Sequence, residues 1–523
     1  MIKKLLDNRF FVLYLLPFLL GCLTVFSFQP YNLSLINFIL LPIFFLLIVY
    51  VNKKSKSFYR KKPFKRNLFI LGFVFGFAFF LSGIFWIANS LTFDDNFKIL
   101  IPFAVILIPA FLALFTGMTI LIVGKFLSYN FSSLILFSFS LSLSDYIRGK
   151  ILTGFPWNLW SYSLSWFTEI LQIINLIGLF SFNLLTITIF TIPAILFFKY
   201  SKFQKMLILN LTIFSIFLLY IYGTFKININ QGLLNYLNKD NKIYTKVISP
   251  NFDLEYNISE KQIEKKLIKL IKYSDPNFER ETLFVWPEGV FAGFSFQEIS
   301  QFKSLIENNF NENHYIAFGV NTFNNDNSNF YNSLVIVNHK FEIIQKYNKI
   351  KLVPFGEFLP FEKTLNKFGL KKITQGHGSF SKGETQKNLV FGNVNILPLI
   401  CYEIIFTEMI QKADNKTNLI LNISEDGWFG KTIGPHQHFA KAIFRSIESN
   451  TFIIRSANKG ISAIINNKGE VVKRLNTSEE GNIELEIPLI NSDDKNKNDL
   501  IFFLLLFTYL IIFLIFKNKT YER

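Results

Sequence analysis

Only two cysteines, Cys22 and Cys401, occur among 523 residues. Cys22 lies inside a hydrophobic segment, so no disulfide framework is expected, and Cys401 reads as a free thiol. Histidine is scarce as well. His314, His339, His377, His436 and His438 show no metal-ligand pattern: His436 and His438 stand two apart, with no cysteine or second histidine pair beside them. A metal site is therefore not expected. Acidic residues are outnumbered, 37 against 54 Lys and Arg, which leaves a formal net charge of +17. Nucleic acid, anionic lipid or membrane topology can each account for that excess, and the positions of the cations decide among them. What the chain has in plenty is apolar surface. At 50% hydrophobic residues and a mean hydropathy of +0.32 it is too apolar to be wholly soluble, and it is long enough for two or three domains. The 65 Phe, with abundant Ile, Asn and Lys, read as an AT-rich coding bias more than as an aromatic binding surface.

A membrane-spanning helix needs roughly 20 mostly apolar residues. Spans are expected near 10–28, 33–51, 67–92, 99–124, 131–147, 172–198 and 206–224, with an eighth at 500–516. The first has a rival reading as a secretory signal, because Leu19-Leu20-Gly21-Cys22 mimics a lipoprotein cleavage site; the apolar run on to Phe28 argues against it. Residues 53–66 carry Lys53, Lys54, Lys56, Arg60, Lys61, Lys62, Lys65 and Arg66, whereas the loops near 29–32 and 92–98 hold only Lys98. Basic loops stay in the cytoplasm, so 53–66, the N-terminus, the 199–205 loop and the C-terminal tail share that side. The cations are then explained by topology, and nucleic acid is not expected as a partner. Counting spans from an inside N-terminus places 225–498 outside the cytoplasm. The loop 148–166, with Gly154-Phe155-Pro156-Trp157, Trp160, Tyr162 and Trp166, suits an interfacial aromatic belt or a lipid-facing entrance, and Asp145 and Arg148 are spaced to pair.

From 225 onward short β-rich runs alternate with amphipathic helical ones. Strands are expected at 243–249, 282–287, 315–320, 333–338, 342–346, 394–400, 418–423, 452–457 and 461–466, and helices at 259–273, 297–308 and 436–449. Residues 321–332 and 374–388 read as loops and 491–498 as a polar linker, in a layered α/β or α+β domain. Three strand-like segments end in reactive residues. Phe284-Val285-Trp286-Pro287 delivers Glu288, Tyr347-Asn348 delivers Lys349, and Asn395-Ile-Leu-Pro-Leu-Ile delivers Cys401. A lone thiol in an apolar run is as readily a core residue. As a nucleophile it needs a base and a cation, which Glu288 and Lys349 can supply as proton acceptor and oxyanion partner.

Glu, Lys and Cys in that order resemble the catalytic triad of the nitrilase superfamily. With Leu352-Val-Pro-Phe-Gly-Glu357, Cys401-Tyr402-Glu403, Trp428-Phe-Gly430, Gly434-Pro-His-Gln-His438, Arg445-Ser-Ile-Glu448 and Arg455-Ser-Ala-Asn-Lys-Gly-Ile-Ser462, the chain resembles the bacterial apolipoprotein N-acyltransferases. Ser82-Gly83 with Trp86, and Gly154-Phe-Pro-Trp157, extend the likeness into the first half. The resemblance implies a polytopic α-helical membrane domain over 1–224, an extracytoplasmic α/β nitrilase-like αββα sandwich over 225–498, and a C-terminal span with a short cytoplasmic tail over 499–523. It implies a bacterial inner-membrane enzyme with its catalytic domain on the periplasmic side, taking an acyl chain from a membrane phospholipid through a Cys401 thioester to the amine of a diacylglyceryl-cysteine lipoprotein. Glu288 would be the base, Lys349 the oxyanion partner and Cys401 the nucleophile. Glu357, Tyr402 and Glu403 would support them, Trp428 and Tyr256 would line the substrate site, and no cofactor or metal is needed. Four places depart from the family's usual residues: Glu255-Tyr256 for Lys-Trp, Gly289 for Ser or Thr, Asp145 for Glu, and Glu425-Asp426 for Asn-Asp. A membrane-tethered amidase with water as acceptor, and a non-catalytic transporter or scaffold, are the alternatives.

Overall fold

The computed structural model describes residues 2–58, 64–236, 241–255, 258–324, 329–360, 379–412, 414, 416–492 and 498–519. Tyr256, His377, the cations at 60–62 and parts of the expected 321–332, 374–388 and 491–498 segments lie outside them. The chain divides into two compact units: 1–88 with 98–226 and 497–523, and 89–97 with 227–496. Residues 89–97, which the hydropathy pattern assigns to the first half, cluster with the second unit.

Among the described residues six helices are long and apolar enough to cross a membrane: Ser34–Lys54, Phe64–Thr92, Asp95–Phe126, Leu179–Phe197, Lys202–Leu234 and Asn498–Lys517. The Phe11–Ser27 stretch is apolar but shorter. The remaining expected span is the helix Phe131–Lys150, whose six buried serines lower its hydropathy. Asn130 caps it by accepting from the Ser133 N–H at 2.9 Å. Helices that gain nothing from water must associate by close packing, which small residues allow. A Cβ at Gly72 would come within 2.8 Å of Ile120 on the neighbouring helix Ile101–Val123. Asp145 and Arg148 do pair, at 2.9 Å and buried, with Asn183 donating to the other Asp145 oxygen at 3.0 Å. The 148–166 aromatics differ from a simple belt. Trp157 and Trp160 are 1% and 2% exposed, packed on Trp86 and Phe79, where their large rings bury apolar area among the helices; Trp166, at 44%, is exposed.

The second unit holds two six-stranded sheets. In chain order the strands are β1 Lys242–Ser249, β2 Thr282–Val285, β3 His314–Phe323, β4 Phe330–Val337, β5 Ile343–Asn348, β6 Leu389–Phe391, β7 Val394–Ile400, β8 Leu419–Glu425, β9 Ile453–Asn458, β10 Ser462–Ile465, β11 Val471–Leu475 and β12 Gly481–Pro488. One sheet runs β12-β1-β2-β3-β4-β5 and the other β11-β10-β9-β8-β7-β6. β1, β2 and β3 are parallel, as are β7, β8 and β9; the outer strands add antiparallel. Successive side chains on a strand face opposite ways. In β8, Leu419, Leu421 and Ile423 accordingly join Val247, Leu283, Val285, Leu334 and Ile336 in a core between the sheets. The other face of the first sheet, with Phe284, Trp286, Ile316 and Phe318, packs on Ile263, Leu267, Leu270 and Ile271 of the helix Glu260–Ser274. The helix Gly434–Ser449 packs on β9 and β10 of the second sheet. The layers are helix, sheet, sheet, helix, the αββα order that the family resemblance implies. All nine expected strands are present. β6, β11 and β12 are additions, short or edge strands whose pairing the local pattern left unsaid.

Candidate active site

Parallel sheets collect the C-terminal ends of their strands on one side, where turns can carry side chains free of the ladder. Glu288 follows β2, Lys349 follows β5, Cys401 follows β7 and Glu425 ends β8. Lys349, 1% exposed, is held between two carboxylates: its Nζ donates to Glu357 Oε1 at 2.8 Å and lies 3.5 Å from Glu288 Oε1. Burial alone would drive that ammonium to lose its proton, but the charges of Glu288 and Glu357 overcome it and raise its pKa. Asn332 on β4 donates one amide nitrogen to both carboxylates, at 2.8 Å each. The Glu425 backbone N–H donates to Glu288 Oε2 at 3.0 Å, and the Val353 N–H to Glu357 Oε2 at 2.8 Å. Glu288 is thereby fixed by three donors, one oxygen facing the lysine.

Cys401 sits at the first position after β7 in a left-handed backbone conformation, φ +50°. Burial pushes its thiol up, the Glu288 charge pushes it further, and Lys349 pulls it down. The resting thiol is therefore protonated, with a carboxylate at hand to take the proton and an ammonium to meet negative charge as it forms. Glu403, fully buried, is not part of that exchange. Its Oε1 accepts from Tyr347 Oη at 2.8 Å and from the N–H groups of Ile350 and Lys351 at 2.8 and 3.0 Å, while Oε2 accepts from the Ile400 N–H at 2.9 Å. One carboxylate thus ties the segment carrying Lys349 to the one carrying Cys401. Tyr402 is buried edge-on to Phe406 at 5.0 Å, with its hydroxyl pKa raised by burial.

Trp428 is partly exposed three residues past Glu425. Its carbonyl accepts from Asn89 Nδ2 at 3.1 Å and its ring meets Phe93 at 5.2 Å, so the 89–97 segment supports it. Tyr256 lies outside the described residues. The departures at 289 and 425 prove to be one feature. A Cβ at Gly289, φ +75°, would come within 2.8 Å of Glu425 Oε2, so the longer side chain at 425 uses the room that glycine leaves. Among the described residues no group of His, Cys, Asp and Glu could hold a metal ion.

Sequence reasoning missed Asn332, which it left in a loop; an Asn breaking the apolar run of β4 is the signal that was there. It also missed the buried cluster of Asp426, His438 and Arg455, whose members stand 12 to 29 positions apart.

Comparison with known proteins gives two family matches: the apolipoprotein N-acyltransferase N-terminal domain over residues 20–192 and carbon-nitrogen hydrolase over 261–493. A Rhodopseudomonas palustris protein named apolipoprotein N-acyltransferase is 30% identical over 484 residues, 90% of this chain and 88% of its own. One of that name from Brucella melitensis is 29% identical over 486 residues, covering 91% and 89%. Among solved structures, a carbon-nitrogen hydrolase from Helicobacter pylori aligns with 52% of this chain and 95% of its own at 14% identity and TM-score 0.37.

Proposed function

The chain belongs to the apolipoprotein N-acyltransferase family, multi-pass membrane acyltransferases that N-acylate lipoproteins, and from that premise we propose how its own residues perform the transfer. The reaction is ping-pong. Cys401 attacks the ester carbonyl of a membrane phospholipid while Glu288 takes the thiol proton, and Lys349 balances the charge on the oxyanion. The ester C–O bond breaks, the lysophospholipid leaves with the proton that Glu288 returns, and the acyl group stays on sulfur. The α-amine of a diacylglyceryl-cysteine lipoprotein then attacks the thioester, Glu288 accepts the amine proton, and the C–S bond breaks to give the amide and restore the thiol. No cofactor takes part.

Glu357 shares the Lys349 charge, Glu403 sets the two loops that bear Lys349 and Cys401 with Tyr402 supporting them, and Trp428 and Tyr256 are assigned to the lipid site. The catalytic domain, 225–498, faces the periplasm from the inner membrane, between the membrane domain 1–224 and the C-terminal span in 499–523; the one-sided distribution of Lys and Arg supports this. The observation that carries the reading is a buried ammonium held 2.8 and 3.5 Å from two carboxylates, its charge coupled with that of Glu288 to the Cys401 thiol. The test is to incubate the purified full chain with phospholipid alone. One acyl mass should appear on Cys401, be discharged by hydroxylamine, and pass to a diacylated lipopeptide. Steady release of free fatty acid with no acylated protein would instead make this chain a hydrolase.

A further inference from the structure

A non-glycine residue at φ +50° is strained and persists only when its surroundings over-determine it. Cys401 is such a residue; one contact holds the peptide that follows it, and another holds the peptide one unit before the preceding one. On the N-terminal side the Ile400 N–H is taken by Glu403. On the C-terminal side the Cys401 carbonyl lies 3.2 Å from His438 Nε2, and His438 is fully buried on the helix Gly434–Ser449. A carbonyl oxygen only accepts, so Nε2 carries the proton of that contact.

Burial favours the neutral imidazole, so with the proton on Nε2 the other ring nitrogen, Nδ1, accepts from an Arg455 terminal nitrogen at 3.1 Å. Asp426 Oδ1, 2.9 Å from Nδ1, is an acceptor taken by the Ser424 hydroxyl at 2.7 Å, so Asp426 acts on the ring by anchoring Arg455. The same Arg455 nitrogen donates to Asp426 Oδ2 at 2.8 Å, Arg455 Nε donates to the Ile461 carbonyl at 3.2 Å, and its remaining nitrogen bonds the Asn422 side chain. All three side chains are at 0% exposure. An ion pair placed wholly inside a protein brings little stability of its own, since apolar residues of like volume often do as well. Here the pair comes from two neighbouring strands of the second sheet, β8 with its following turn and β9, and it aims a helix-borne imidazole at the nucleophile's own backbone.

We infer that His438 is a positioning residue for the nucleophile: buttressed by Asp426 and Arg455, it donates through Nε2 to the Cys401 carbonyl and holds Cys401 in its left-handed conformation at the end of β7. The inference rests on Cys401 being the nucleophile. Because the peptide unit is planar and trans, fixing that oxygen also fixes the direction of the Tyr402 N–H on the opposite side. Neither proton transfer nor bond making is assigned to the imidazole.

The test uses two amides of different reach in the full chain. In His438→Gln the side-chain nitrogen reaches the position of Nε2 and keeps the donor; in His438→Asn it reaches only that of Nδ1, so Asp426 and Arg455 keep a polar neighbour while the Cys401 carbonyl loses its donor. The readouts are the single-turnover rate of Cys401 acylation by phospholipid vesicles, the half-saturating phospholipid concentration and the melting temperature in detergent. His438→Asn should acylate about 10²-fold more slowly at unchanged half-saturation, the loss expected of a misplaced nucleophile, and His438→Gln should recover to within about tenfold of wild type. An Asn variant as fast as wild type, or a folded Gln variant as slow as the Asn one, overturns the inference. Should the Asn variant fail to fold, the wild-type chain decides: in a Cys22→Ser background, carbonyl-¹³C cysteine labels Cys401 alone, and its infrared band should lie at the frequency of a hydrogen-bonded carbonyl. A band at the free-carbonyl position overturns it. If wild type takes up no acyl mass at all, the reading of Cys401 as nucleophile fails instead, while the infrared band still reports on the contact.

Discussion

Lys349 supplies the positive charge between the carboxylates Glu288 and Glu357, so removing it leaves two buried anions facing each other. Lys349→Met should lower the rate of Cys401 acylation by at least about 10²–10³-fold, the value of a lost oxyanion partner, and destabilise the fold by about 3–5 kcal/mol as a broken buried pair. Acyl-enzyme mass spectrometry and thermal melting measure the two separately; acylation near the wild-type rate would remove Lys349 from the reaction. Glu425 makes a different kind of prediction. Burial raises its carboxyl against the pull of Asn458 and the Gly427 N–H, with Glu288 and Asp426 adding to the rise, to about 8 from an ordinary value of 4.5. Between those two pH values the folded chain holds a proton that the unfolded chain has lost, so stability falls as pH rises through that window and levels off above it. Glu425→Gln does not titrate. Its melting temperature relative to wild type should therefore climb from pH 5 to pH 8, and a difference that stays constant with pH would show that Glu425 ionises normally.

At the scale of elements, the turn after β2 and the end of β8 meet at Gly289 and Glu425. A side chain at 289 would run into the Glu425 carboxylate, and φ +75° strains any residue but glycine. Gly289→Ser should reduce turnover, by about tenfold if Glu288 moves by a fraction of an ångström, and Gly289→Ser with Glu425→Asn should regain most of it, since the shorter amide vacates the space. Assays of the two singles and the double form a cycle; additive losses would show that the two sites are independent. Glu403 ties three backbone N–H groups and Tyr347 to one carboxylate. Glu403→Gln turns one acceptor oxygen into a donor inside that ring, and should cost about 1–3 kcal/mol in melting experiments.

For the molecule as a whole, the cation distribution predicts orientation. A cysteine placed at Ser55 should stay unlabelled by an impermeant maleimide in intact cells stripped of their outer membrane, whereas one at Glu384, exposed in the second unit, should react. Labelling at Ser55 from outside would reverse the topology.

Periodicity and residue chemistry alone located nine strands, the helices 259–273 and 436–449 and six of the expected spans, because a two-residue or 3.6-residue repeat is local information. Glu288, Lys349 and Cys401 were legible for a related reason: each closes an apolar run that local pattern marks as a buried strand. The same reading spread the Trp-rich loop over an interface, where folding buries Trp157 and Trp160 in the helices. It also read His438 as a failed metal ligand. What only the tertiary structure decided is which distant side chains share a proton or a charge. Asn332 with Glu288, Gly289 with Glu425, and His438 with Cys401 are pairs set by the stacking of two sheets and a helix, and no spacing along the chain encodes a contact made across layers.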